Sequence, residues 1–65
     1  MKNLVRTFRQ QRGWTQQELG SRLGTSRQAI IAIENERFDP SLPLAIKLAR
    51  LFGKPVEKMF ILEEH

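Results

Sequence analysis

Two helix-start signals, Thr15 and Ser26, with Gly24 just before the second, constrain this chain more than anything else in its sequence. Thr15 followed by Glu18 is a capping box: the hydroxyl accepts from the N3 amide and the carboxylate reaches back to the cap amide. Trp14 before the cap and Leu19 after it can form a hydrophobic staple. The helix runs through Leu23 and stops at Gly24, which turns the chain without a Cβ penalty. Ser26 caps a second helix that carries Ile30 and Ile33 inward and ends near Asn35, a residue able to take the left-handed cap conformation. Helices this short are not stable alone and need tertiary packing. Leu19, Leu23, Ile30 and Ile33 can pack them together and onto the helix before them.

Punctuation by Gly and Pro divides the rest of the chain in the same way. A first helix covers about residues 3–12, with Leu4, Val5 and Phe8 on one face, and Gly13 ends it. After a connection through Glu36, Arg37, Phe38, Asp39 and Pro40, Ser41 caps a fourth helix, where Pro43 is tolerated in the first turn. Leu44, Ala45, Leu48, Ala49 and Phe52 form its buried stripe, and Gly53 closes it. A short last helix follows Pro55, with Val56, Met59 and Phe60 facing in. Nothing in the pattern demands a sheet. The apolar run Phe60-Ile61-Leu62 fits either a single strand or a partner-facing segment. The expectation is an all-α fold of five helices forming one domain over residues 1–65.

At 65 residues the chain has little core to spare for a deep substrate cavity, since a domain of this size buries only about 60% of the surface its unfolded form exposes. It has no Cys, so disulfides and thiolate metal sites are excluded, and oligomerisation is the remaining common support for so small a domain. Lys and Arg outnumber Asp and Glu by 11 to 7, for a net charge of +4. That balance favours polyanions, nucleic acid or an acidic membrane surface. No apolar run is long enough for a signal-peptide core or a membrane span, and a cytoplasmic protein is expected. The single His is His65, the last residue, read as an idle terminus and not as a ligand.

Two short helices joined by a tight turn, here Gly24-Thr25-Ser26, define the helix-turn-helix. The stretch TQQELGSRLGTSRQAIIAIENE resembles that of the Xre family, the group that includes phage lambda Cro and repressor, and the likeness continues through DPSLPLAIKLARLFGKPVEKMF. It covers nearly the whole chain, which is most similar to short stand-alone members. The resemblance implies a lambda-repressor-like domain that sets its third helix in the DNA major groove.

Residue by residue, Arg27 and Gln28 match the positions that reach base edges. Arg can donate twice to guanine, and Gln can pair with adenine. Ile31 lies four residues after Arg27 and three after Gln28, so it projects beside them and can touch a thymine methyl. Ala29 and Ala32 stand where family members often carry hydroxyl or amide groups, and with Ala32 the base-reading face becomes unusually apolar. For the DNA backbone, the resemblance implies contacts from Gln16, Ser26, Asn35, Arg37, Phe38 and Ser41, with Arg22 able to join them. Gln16 is also expected to brace Gln28. Such contacts set register and affinity, not sequence. Arg9 and Glu34 match a partly buried ion pair. Arg6, Arg12, Arg50, Lys2, Lys47, Lys54 and Lys58 fit ordinary solvated charge as well as they fit contacts to the DNA backbone.

The implied function is a transcriptional regulator on double-stranded DNA, a dimeric repressor reading a palindrome. Its homodimer interface is placed at Met59, Phe60, Ile61 and Leu62. The alternative is an antitoxin or adaptor module acting through protein–protein binding. With no Cys, no internal His, no phosphate-cradling Gly loop and no supported carboxylate pair, the sequence offers no catalytic residue, metal site or cofactor. No small-molecule substrate is evident.

Overall fold

The computed structural model describes residues 1–63, so His65 lies outside the described residues. Five helices follow one another: α1 (Val5–Gln11), α2 (Gln16–Leu23), α3 (Arg27–Glu34), α4 (Leu42–Phe52) and α5 (Val56–Met59). Two short strands, β1 (Lys2–Asn3) and β2 (Phe60–Ile61), pair antiparallel with Lys2 opposite Ile61 and Asn3 opposite Phe60. The five-helix fold therefore carries a strand near its C-terminal end. The partner strand at the start of the chain was not expected.

That pairing corrects the start of the first helix. Asn3 is in a strand, and its side chain serves two other elements. Its Oδ1 accepts from the Val5 amide at 3.2 Å, and its Nδ2 donates to the Ile33 carbonyl at 2.9 Å. Leu4 stands outside the helix as its cap, held by its amide's bond to the Met59 carbonyl at 2.8 Å, and is 39% exposed instead of facing in.

The local signals in α2 and α3 act as the sequence implies. Thr15 and Glu18 form both halves of the capping box. Ser26 Oγ accepts from the Ala29 amide at 3.1 Å. Ser41 does the same for Leu44. The α2 helix ends at Gly24 with φ 71°, and the Thr25 amide reaches back to the Gly20 carbonyl at 2.9 Å. This Schellman closure gives the sharp turn into α3.

Asn35 does not supply the left-handed residue at the end of α3. It has φ −87°, and Glu36 takes φ 60° instead. The Glu36 amide bonds to the Ile33 carbonyl at 3.0 Å and the Arg37 amide to the Ala32 carbonyl at 2.9 Å. The closure is again a Schellman motif, but here an amino acid with a Cβ occupies the position that glycine favours.

The core lies between the helices. Val5, Leu19, Ile30, Ile33, Leu48 and Met59 are fully buried, with Leu23, Ala45, Phe52 and Phe60 nearly so. Phe8, Trp14, Leu44, Ala49, Leu51 and Val56 pack against this set from its margins. Met59 and Phe60 are therefore core side chains of the single chain. Of the four residues expected at a dimer interface, Met59 is enclosed by its own chain and Phe60 shows only its edge, while Ile61 and Leu62 are exposed at 41% and 71%. No helix of the described residues is long and apolar enough to cross a membrane.

Candidate nucleic-acid interface

Arg27 and Gln28 form the first turn of α3, where the Ser26 cap sets the chain direction. Both are exposed, and among the described residues neither side chain makes a hydrogen bond within the protein. Ile31 and Ala32 lie one turn further along and are half-buried, as is Ala29. The α3 helix thus presents two long polar side chains at its front and an apolar shoulder behind them. Ile30 and Ile33, on the opposite side, anchor it in the core.

The position of α3 against α2 depends on Gly20, a residue that spacing alone did not mark. A Cβ at Gly20 would meet the Thr25 carbonyl oxygen at 2.9 Å and the Ser26 backbone at 3.3 Å. The start of α3 therefore crosses directly over α2. The available signal was a glycine in a helix interior, which costs about 1 kcal/mol relative to Ala and so points to a close backbone approach.

Behind α3 sits a buried carboxylate. The Glu34 side chain is fully buried and accepts from Arg9 Nε at 2.6 Å, Arg9 Nη2 at 3.1 Å, Gln16 Nε2 at 3.1 Å and Arg6 Nε at 3.3 Å. Arg9 also donates to the Trp14 carbonyl at 2.8 Å. The Arg9–Glu34 ion pair is present, and it is part of a larger cluster joining α1, α2 and α3. Burial pushes the Glu34 carboxyl up, but the hydrogen bonds from Arg9 and Gln16, the Arg9 charge and the Arg6 bond outweigh it. The group is held below its ordinary value.

Two expectations change here. Arg6 is not a free solvated charge: besides Glu34, it donates through Nη2 to Asn35 Oδ1 at 2.8 Å. Its position one turn before Arg9 on the same helix face was the signal that could have found it. Gln16 gives its amide to Glu34, and among the described residues it makes no hydrogen bond to Gln28.

The remaining candidates divide by location. Asn35, Arg37, Phe38 and Ser41 are all exposed along the end of α3 and the connection to α4, with Phe38 at 46%. Ser26 and Ser41 each accept one cap hydrogen bond through their oxygen, which leaves their hydroxyl protons free to donate. Arg22 is not brought to this group. It lies about 120° around α2 from Gln16, with its guanidinium 4.1 Å from the centre of the Trp14 ring. Arg12 stacks at 5.5 Å from both Trp14 and Phe52, whose rings are 5.8 Å apart, so it too is engaged and not simply solvated. Among the described residues no group of His, Cys, Asp and Glu could hold a metal ion.

The helix-turn-helix family profile matches residues 5–59, which takes in all five helices. An uncharacterised HTH-type transcriptional regulator of Methanocaldococcus jannaschii is 48% identical over 64 residues, covering 98% of this chain and 97% of that protein. One from Methanothermobacter thermautotrophicus is 48% identical over 65 residues, covering 98% of this chain and 94% of the relative. Among solved structures, a hypothetical transcription factor from Neisseria superposes with a TM-score of 0.75 at 31% identity. The match covers 83% of this chain and 61% of the Neisseria chain.

Proposed function

This chain belongs to the helix-turn-helix family of transcriptional regulators, and from that premise we propose that it is a dimeric repressor reading a palindromic DNA site through α3 in the major groove. Proteins of this family bind DNA and are not typically enzymes. The observation that carries the reading is the first turn of α3, where Arg27 and Gln28 stand exposed and unengaged on a helix fixed from behind. In this reading Arg27 donates to guanine, Gln28 pairs with adenine, and Ile31 and Ala32 meet thymine methyls. Gln16, Ser26, Asn35, Arg37, Phe38 and Ser41 dock the phosphate backbone. Gln16 does so with the part of its amide that Glu34 leaves free.

One helix reads too few bases to select a site in a genome. A twofold dimer would read two half-sites about 34 Å apart. Support for a dimer comes from a mainly apolar groove lined by Met1, Pro40, Leu42, Ala45, Val56 and Phe60, with Asp39 its one charged side chain, together with the exposed Leu42, Ile61 and Leu62. The same groove would serve the alternative, a module that binds another protein.

Selection of bound sequences from a random duplex pool tests the reading. A palindrome with that half-site spacing is the expected result; recovery of no shared sequence overturns it. In the same assay Gln28→Ala relaxes base preference with modest loss of general affinity. Arg37→Ala weakens all sequences alike and flattens the salt dependence by about 0.9 in slope.

A further inference from the structure

Asn35 follows Glu34 at the rear of α3, seven residues after Gln28, so it shares the face that runs from Gln28 through Ile31 and Ala32. Its amide has an accepting end and a donating end, and only one of them can face outward. Arg6 decides which. A guanidinium has five donor hydrogens and no acceptor, so the Asn35 atom 2.8 Å from Arg6 Nη2 must be the oxygen. The opposite orientation would set N–H against N–H. Among the described residues the Asn35 Nδ2 has no hydrogen-bond partner in the protein, and the residue is exposed.

Arg6 can hold this position because its Nε is tied to Glu34 at 3.3 Å, and Glu34 is fixed by Arg9 and Gln16. One guanidinium thus spans a buried carboxylate and an exposed amide. The orientation has a consequence at this place. The C-terminus of a helix is its negative end, and an amide oxygen turned outward would add to the repulsion of an approaching phosphate. An outward NH2 supplies a donor instead.

We propose that Arg6 is a positioning residue for DNA binding, holding Asn35 with its amide nitrogen outward to donate to a phosphate oxygen. The proposal rests on the reading of α3 as the DNA-facing helix. Arg6 acts through Asn35 and makes no phosphate contact of its own.

The test is a double-mutant cycle on binding of the full chain to a short fluorescent duplex of mixed sequence at low salt, with thermal melts confirming each fold. Asn35→Ala should weaken binding about tenfold. Arg6→Lys keeps the charge but cannot bridge both partners, and should weaken binding about threefold. In the Asn35→Ala background, Arg6→Lys should add no further loss. The slope of log affinity against log salt should stay at the wild-type value throughout, because a neutral amide displaces no counterion. An Arg6→Lys variant that binds as wild type, loses the same factor in both backgrounds, or lowers the salt slope overturns the proposal. So does an Asn35→Ala variant of undiminished affinity. A wild-type chain that fails to bind the duplex overturns instead the DNA-binding reading beneath it.

Discussion

At its front, α3 is held by one side-chain cap, Ser26 to the Ala29 amide, and its next two residues project freely. At its rear, Glu34 accepts four hydrogen bonds, Asn3 binds the Ile33 carbonyl, and a Schellman closure is completed by Glu36. The difference is informative because both ends belong to the same eight-residue helix. A reading helix must be fixed in angle yet leave its base-facing side chains without partners in the protein. Here the side-chain anchoring is concentrated at the end away from the proposed base-reading residues. Ion pairs and long-range side-chain hydrogen bonds gather there, while the front has a local cap and the close backbone approach to Gly20.

Removing the rear anchor should have the largest effect. Glu34→Ala leaves Arg9 partly buried without its carboxylate, and a broken buried pair costs about 3 kcal/mol. Urea denaturation should show that loss. A change below about 1 kcal/mol would make the cluster no stronger than a surface pair and erase the contrast between the two ends. Gly20→Val tests the front by forcing the start of α3 away from α2, with an expected cost of about 2 kcal/mol. DNA affinity should fall more than the stability loss alone explains.

Acid sharpens the comparison without changing shape or volume. The folded-state pKa of Glu34 is depressed, so its contribution is fully present above the unfolded value, near 4.5, and is lost as pH falls through the folded value. Wild type should therefore lose stability below about pH 4.5 more steeply than Glu34→Gln, and the two curves should converge in acid. Parallel curves would remove the carboxylate from the account. The smallest effect is expected at Glu36→Gly, which relieves a left-handed residue bearing a Cβ. A gain of about 0.5–1 kcal/mol in thermal denaturation would show that the rear closure carries strain, and a loss would show that it does not.

The front of α3 was legible in the sequence almost residue by residue. Thr15 with Glu18, Gly24, and Ser26 each act within one helical turn, so adjacent residues suffice to identify them. The apolar periods of Leu19, Leu23, Ile30 and Ile33 placed the core face correctly for the same reason. The rear was legible only in part. The Arg9–Glu34 pair came through family resemblance, while the roles of Arg6, Asn3 and Gly20 did not emerge. Each of these three depends on a segment distant along the chain or on the angle at which two helices cross. The left-handed position fell on Glu36 and not Asn35, because hydrogen bonds from Glu36 and Arg37 close the helix one residue later.

The sequence by itself determined five helices, the caps at Thr15, Ser26 and Ser41, the glycine turn and the side chains that face outward from α3, since all follow from short-range periodicity and hydrogen bonding. Tertiary structure alone decided how α3 is anchored. Asn3 pairs with Phe60 and caps the end of α3, Arg6 joins Glu34 to Asn35, and Met59 and Phe60 enter the core. A two-residue strand has no periodicity to read, and a guanidinium on one helix finds its acceptors only once another helix has packed beside it.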